Sequence, residues 1–128
     1  MAEPFATRRL DETTEVTAPD GSAVRPLAVL PGVASFAHFE LAPGQVSAAV
    51  AHATVEEIWY VIGGSGEMWR SQDGRAENTA LAPGICLTIP LGTSFQFRAA
   101  DQGLRVVAVT TPPWPDGTDE ARAARGPW

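Results

Sequence analysis

Between residues 28 and 110 short apolar runs alternate with clusters of glycine, proline and aspartate. Period-two alternation over short runs, bounded by turn residues, marks half-buried β-strands. The pattern predicts strands at 28–30, 34–41, 47–52, 57–62, 66–71, 78–81, 85–89, 94–98 and 104–110. Turns are expected at Pro31-Gly32, Pro43-Gly44, Gly63-Gly64, Asp73-Gly74, Pro83-Gly84 and 101–103, with Asp-Gly the strongest hairpin signal among them. Strands this short and this evenly spaced build a sandwich or a barrel.

The ends of the chain read differently. Residues 1–26 form a polar N-terminal extension ahead of an all-β body at 27–111, and 112–128 form a tail rich in proline and tryptophan. The three prolines of the run Pro112-Pro113-Trp114-Pro115 lack amide donors, so the run cannot pair as a central strand and is expected to leave the sheet extended. Acidic residues early in 118–125 and arginines late in it predict a short helix that Gly126 stops. Trp114 is expected to act as a plug or as a dimer contact.

Several fixed spacings run through the predicted strands. Gly44, His52, Glu57 and Gly64 are followed by Gly84, Pro90 and Gly92. These residues resemble the two sequence motifs of the cupin family. The first motif is glycine, five residues, histidine, one, histidine, three or four, glutamate, six, glycine; every fixed position is met except the first histidine, where Val50 stands. The second is glycine, five residues, proline, one, glycine, two, histidine, three, asparagine, and here Phe95 and Ala99 replace the last two. The resemblance spans residues 39–110. It implies a single-domain cupin-type β-barrel, a double-stranded β-helix or jelly roll. It also implies a half-erased metal site, since only His52 and Glu57 remain of the four ligand positions. A divalent transition metal, if bound, would be held by those two.

Side chains alternate across a strand, so the inward orientation that the resemblance gives His52 and Glu57 assigns their neighbours. Val50 shares the His52 face, and Trp59 shares that of Glu57. Phe95 brings Phe97 with it, and Met68 and Arg70 fall inward on the strand after Gly64, unless a slip of one residue buries Trp69 instead. The expected pocket is aromatic and aliphatic (Val50, Trp59, Met68, Phe95, Phe97), with His52, Glu57 and Arg70 as its polar groups. It suits a small organic ligand with an apolar body and an anionic or carbonyl end. His38 and Cys86 have the opposite parity to their apolar neighbours and are expected outside. Glu56, Tyr60, Gln96 and Arg98 are expected to be solvated or at an interface.

Composition narrows the chemistry. There is no lysine among the nine basic residues, so no Schiff base to a carbonyl substrate or to pyridoxal phosphate can form. One cysteine, Cys86, rules out an intramolecular disulfide and a Cys-rich zinc site. A net charge of −6 with scattered arginines argues against nucleic acid. No apolar run is long enough for a membrane span or signal peptide, so the expected address is the cytoplasm. Residues 63–66 lack the lysine and following helix of a phosphate loop, and no Gly-x-Ser-x-Gly elbow exists.

Three functions remain open. The first is a metal-independent enzyme of isomerase, epimerase or cyclase type, a reading the resemblance implies, in which His52 transfers a proton, Glu57 orients and tunes it, and Arg70 neutralises developing charge. The second is a metal-dependent dioxygenase or isomerase, which would need a further ligand from His38, Cys86, Gln96 or Glu67 or from the substrate. The third is a non-catalytic ligand-binding or sensing barrel. A homodimer is expected in each case, because open sheet edges need covering.

Overall fold

A computed structural model describes residues 4–115 and 119–128. A single turn of 3-10 helix, Leu10–Glu12, precedes nine strands. These are β1 (Val16–Thr17), β2 (Ala23–Leu30), β3 (Ala34–Leu41), β4 (Val50–His52), β5 (Glu56–Gln72), β6 (Arg75–Leu81), β7 (Cys86–Ile89), β8 (Ser94–Thr111) and β9 (Ala121–Ala123). All belong to one curled sheet, in which β8 pairs with β3, β4 and β5, and β5 also pairs with β6 and β7. Every pairing is antiparallel.

Two predicted turns prove to be bends inside long strands. Residues 63–66 lie within β5 and residues 101–103 within β8, and the two bends face each other, with Gly64 opposite Leu104 and Gly66 opposite Ala99. Register shifts on either side of Gly64 let both strands curl without breaking their ladder. Gly64 has φ +72°, and a Cβ there would strike the Gly103 carbonyl oxygen. Only glycine satisfies both conditions.

Alternation along β5 sets the two faces of the sheet. Glu57, Trp59 and Val61 are buried, whereas Glu56, Ile58, Tyr60 and Ile62 are exposed. The inward side chains form an apolar core with Leu41, Met68, Leu87, Ile89, Phe95, Phe97, Leu104 and Val106. Its centre is aromatic: Trp59 stacks on Phe39 at 5.6 Å and meets Phe97 edge-on at 4.9 Å, geometries that the ring quadrupole favours.

Both ends of the chain join the sheet. Strand β2 begins at Ala23 and pairs with β1, so pairing reaches into the segment read as an extension. The helix expected in the tail is replaced by β9, which pairs with β4; Thr118, where that helix was to start, lies outside the described residues. Tertiary pairing overrides the local helical signal, because β4 would otherwise leave backbone donors and acceptors unpaired on its free side. The tail ends against Gln96, which donates from Nε2 to the Trp128 carbonyl at 3.1 Å and accepts from the Trp128 amide at 3.0 Å. Gln96 is therefore buried, contrary to its expected exposure.

Candidate functional site

Strand β4 ends at His52, a short turn follows, and β5 begins just before Glu57. This arrangement brings the two side chains together, with His52 Nδ1 3.7 Å from Glu57 Oε1. That separation is too long for a hydrogen bond. Both residues are buried, at 7% and 4% exposure. Thr110, the register partner of Glu57 on β8, donates to Glu57 Oε2 at 2.7 Å, and Trp59 Nε1 donates to Oε1 at 3.3 Å. His52 Nδ1 is enclosed and has no hydrogen-bond partner.

Desolvation governs the charges here. Burial pushes Glu57 up from 4.5 to about 7, against the hydrogen bonds from Thr110 and Trp59, and the charge of Asp20 adds to the rise. Burial likewise holds His52 below its usual 6.5, although Glu120 pulls the other way. Between these two midpoints the site contains a carboxylic acid beside a neutral imidazole. The ion pair that proximity to a carboxylate alone would favour is outweighed by the loss of water.

His52 and Glu57 open onto a cavity of about 840 Å³. Val50, Trp59, Phe39 and Ala121 form part of its wall, and the N-terminal segment contributes Arg8, Asp20 and Val24. His52 makes T-shaped contacts with two rings, Phe95 at 5.1 Å and Trp114 at 5.2 Å. Asp20 is fixed at the wall, its Oδ1 accepting from the Ser22 amide at 2.9 Å and the Ser22 hydroxyl at 2.6 Å. Burial raises the Asp20 carboxyl above its ordinary value, despite those bonds.

Four of the eight sequence-derived site residues, Val50, His52, Glu57 and Trp59, line this cavity, and Met68, Arg70, Phe95 and Phe97 do not. Phe95, Phe97 and Met68 are sealed in the core behind it. Arg70 lies in a separate, smaller recess, donating to the Thr88 carbonyl at 2.9 Å and to Thr79 Oγ1 at 3.1 Å, with Glu77 3.7 Å away. The arginine among the residues that line the cavity is Arg8. The sequence pattern does not single out Asp20 or Arg8, because no strand parity extends into that segment. Thr110 was within reach, since it shares a face with Val106 and Ala108.

A transition metal fits these donors poorly. Val50 and Phe95 fill the other two ligand positions and face each other across the β4–β8 ladder. Among the described residues no group of three or more His, Cys, Asp or Glu side chains comes together to hold an ion. The alternative ligands are engaged or turned elsewhere. Glu67 pairs with Arg98 at 2.6 Å, Gln96 holds the tail, Cys86 is exposed, and His38 is absent from the cavity wall. His38 is nonetheless buried. Burial lowers its pKa, Glu40 opposes this, and Arg105 and Arg25 add to it.

No protein-family model matches the chain, and no curated protein matches it by sequence. Solved structures do match. A variant of Bacillus subtilis oxalate decarboxylase OxdC superposes with a TM-score of 0.76 at 18% identity, over 95% of this chain and 34% of that one. Staphylococcus aureus CapF, a capsular polysaccharide assembling protein, gives 0.76 at 11%, over 89% and 34%. The nucleoside dehydratase Pac13 gives 0.74 at 13%, over 96% of this chain and 92% of its own. The protein has the cupin fold. It spans about a third of the length of the CapF and OxdC chains, and at such identities the cupin likeness establishes architecture while leaving chemistry to the site. No helix among the described residues is long and apolar enough to cross a membrane.

Proposed function

We propose that this cupin is a metal-independent acid–base catalyst acting on a small organic molecule that carries a carbonyl group. His52 takes a proton from the carbon next to the carbonyl, the electrons of the broken C–H bond form the enol double bond, and Glu57 protonates the carbonyl oxygen. Return of the proton to another face or carbon gives an isomerase. Loss of a hydroxyl from the neighbouring carbon, protonated by His52 as it leaves while the enol returns its O–H proton to Glu57 and the carbonyl re-forms, gives a dehydratase.

The observation that carries this reading is the enclosed His52–Glu57 pair at the wall of the cavity, with its acid near pH 7 and its base held neutral. A catalytic acid and base are most effective when both titrate near the working pH. Phe39, Trp59 and Trp114 offer apolar ring surface to the body of the ligand, and Arg8 is the cation available to an anionic end. Streptomyces Pac13, solved with uridine, matches this chain over nearly its whole length, which supports a ligand of nucleoside size.

Carbonyl compounds and nucleosides would be screened for thermal stabilisation of the protein, and the strongest binder incubated in D₂O. The wild type should place deuterium at the carbon next to the carbonyl, and His52→Ala should slow that exchange by about 10² to 10⁴. A stabilising ligand exchanged equally by both proteins, or by neither, would overturn the reading, and the latter would favour a binding module.

A further inference from the structure

Glu120 comes one residue before β9 and is buried at 5% exposure. Its carboxylate is wrapped by the turn that joins His52 to Glu57. The Thr54 amide donates to Oε2 at 2.7 Å and the Val55 amide to the same oxygen at 3.3 Å, while the Thr54 hydroxyl donates to Oε1. The Ala53 amide donates to the Glu120 carbonyl at 2.8 Å. Every residue of the 53–55 turn thus gives at least one hydrogen bond to Glu120. Strand β9 continues the contact, with Ala121 opposite His52 and Ala123 opposite Val50.

A carboxylate enclosed by successive backbone amides is a charge-assisted anchor, stronger than neutral hydrogen bonds. Burial alone would raise the Glu120 pKa, but the bonds from the Thr54 hydroxyl and the Thr54 and Val55 amides, with the Ala53 amide close by, more than offset it, and the pKa lies below the ordinary carboxylate value. The anchor grips the short connection whose conformation decides how far His52 stands from Glu57. Without it, the turn's donors would turn to water and the His52 end of the three-residue β4 would be free to move.

We propose that Glu120 is a positioning residue, whose carboxylate locks the 53–55 turn and thereby sets the geometry between His52 and Glu57. This rests on the reading of His52 and Glu57 as the chemical pair. It assigns the tail a part in the site.

The test uses the full chain and needs no substrate. The His52 ring lies 5.1 Å from that of Phe95 on β8, so the nuclear Overhauser contacts between the two rings report where His52 stands relative to the fixed strands. Glu120→Ala and Glu120→Gln should each weaken those contacts by at least about half, leave the Trp59 and Trp69 indole signals in place, and keep thermal unfolding cooperative. The glutamine keeps the volume but offers one acceptor oxygen where two are used. Thr54→Ala, which removes only the hydroxyl donor, should produce a smaller loss in the same direction. If Glu120→Ala does not fold, Glu120→Gln and Thr54→Ala decide the matter. Unchanged His52–Phe95 contacts in the folded variants would overturn the role, because a contact that merely fastens the tail would lower the melting temperature without displacing His52. Missing deuterium exchange would instead strike the catalytic reading alone.

Discussion

Thr110 and Glu57 are direct cross-strand partners on β8 and β5, and the Thr110 hydroxyl donates a 2.7 Å hydrogen bond to the buried carboxyl group. The acid is therefore fixed to the two longest strands of the sheet. The base is held on a strand of three residues whose far side depends on the tail. Adjustment of the pair is expected on the His52 side.

Glu57 makes stability depend on pH in a direction unusual for a carboxylate. Its midpoint rises from 4.5 to about 7 on folding, so the native state binds the proton more tightly than the unfolded chain. That contribution is complete below pH 4.5 and is lost as pH rises through about 7, amounting to roughly 3 kcal/mol. Urea denaturation at pH 5 and pH 8.5 should show the wild type losing more stability over this interval than Glu57→Gln, which cannot ionise. Equal losses would mean that the carboxyl is charged throughout.

Thr110→Val removes the donor but keeps the shape. The Glu57 midpoint should move further up, since that hydrogen bond lowers it, and the unpaired oxygen should cost about 1–3 kcal/mol. A pH titration of stability, compared with that of the wild type, checks both. An unchanged midpoint would place the Thr110 hydroxyl elsewhere.

Strand parity and turn residues made the inward row of Glu57, Trp59 and Val61 legible, as well as the His52 face. Parity gives the face of the sheet but not the depth along it, and this explains Arg70. It lies near the far end of the 17-residue β5, opposite Glu77 on β6, where its guanidinium reaches the Thr88 carbonyl. Phe95 and Phe97 were placed on the correct face but are roofed by other side chains. The contributions of Asp20 and Glu120 were illegible for another reason: each comes from a segment near one end of the chain, and its place depends on long-range pairing. The acidic residues and arginines of the tail satisfy a helix pattern, yet the strand beside His52 needed a partner.

The double variant Val50→His with Phe95→His should acquire a divalent metal. The two positions are cross-strand partners beside His52 and Glu57, so four donors would converge where two now stand. Replacing the buried Phe95 will lower stability by a few kcal/mol in the metal-free state, an order typical of core truncations. Calorimetry with nickel or zinc should give much tighter binding than the wild type, together with a metal-dependent rise in melting temperature. Equal affinities would refute the account of the missing ligands.

Gly64→Ala should destabilise the fold by more than about 2 kcal/mol. The new methyl group would meet the Gly103 carbonyl oxygen at a backbone φ of +72°. Gly74→Ala shares the positive φ, at +80°, but has open space around it. Chemical denaturation of the two variants should therefore show the larger loss at Gly64. The reverse order would refute the close approach of the two bends.

The most direct test of the central claim is a ¹³C titration of the Glu57 carboxyl group by NMR, assigned by comparison with Glu57→Gln. An acid held protonated beside a neutral His52 should titrate with a midpoint of about 7, well above the ordinary 4.5. A midpoint at or below 4.5 would show a permanent carboxylate in the cavity, and Glu57 could not then serve as the proton donor.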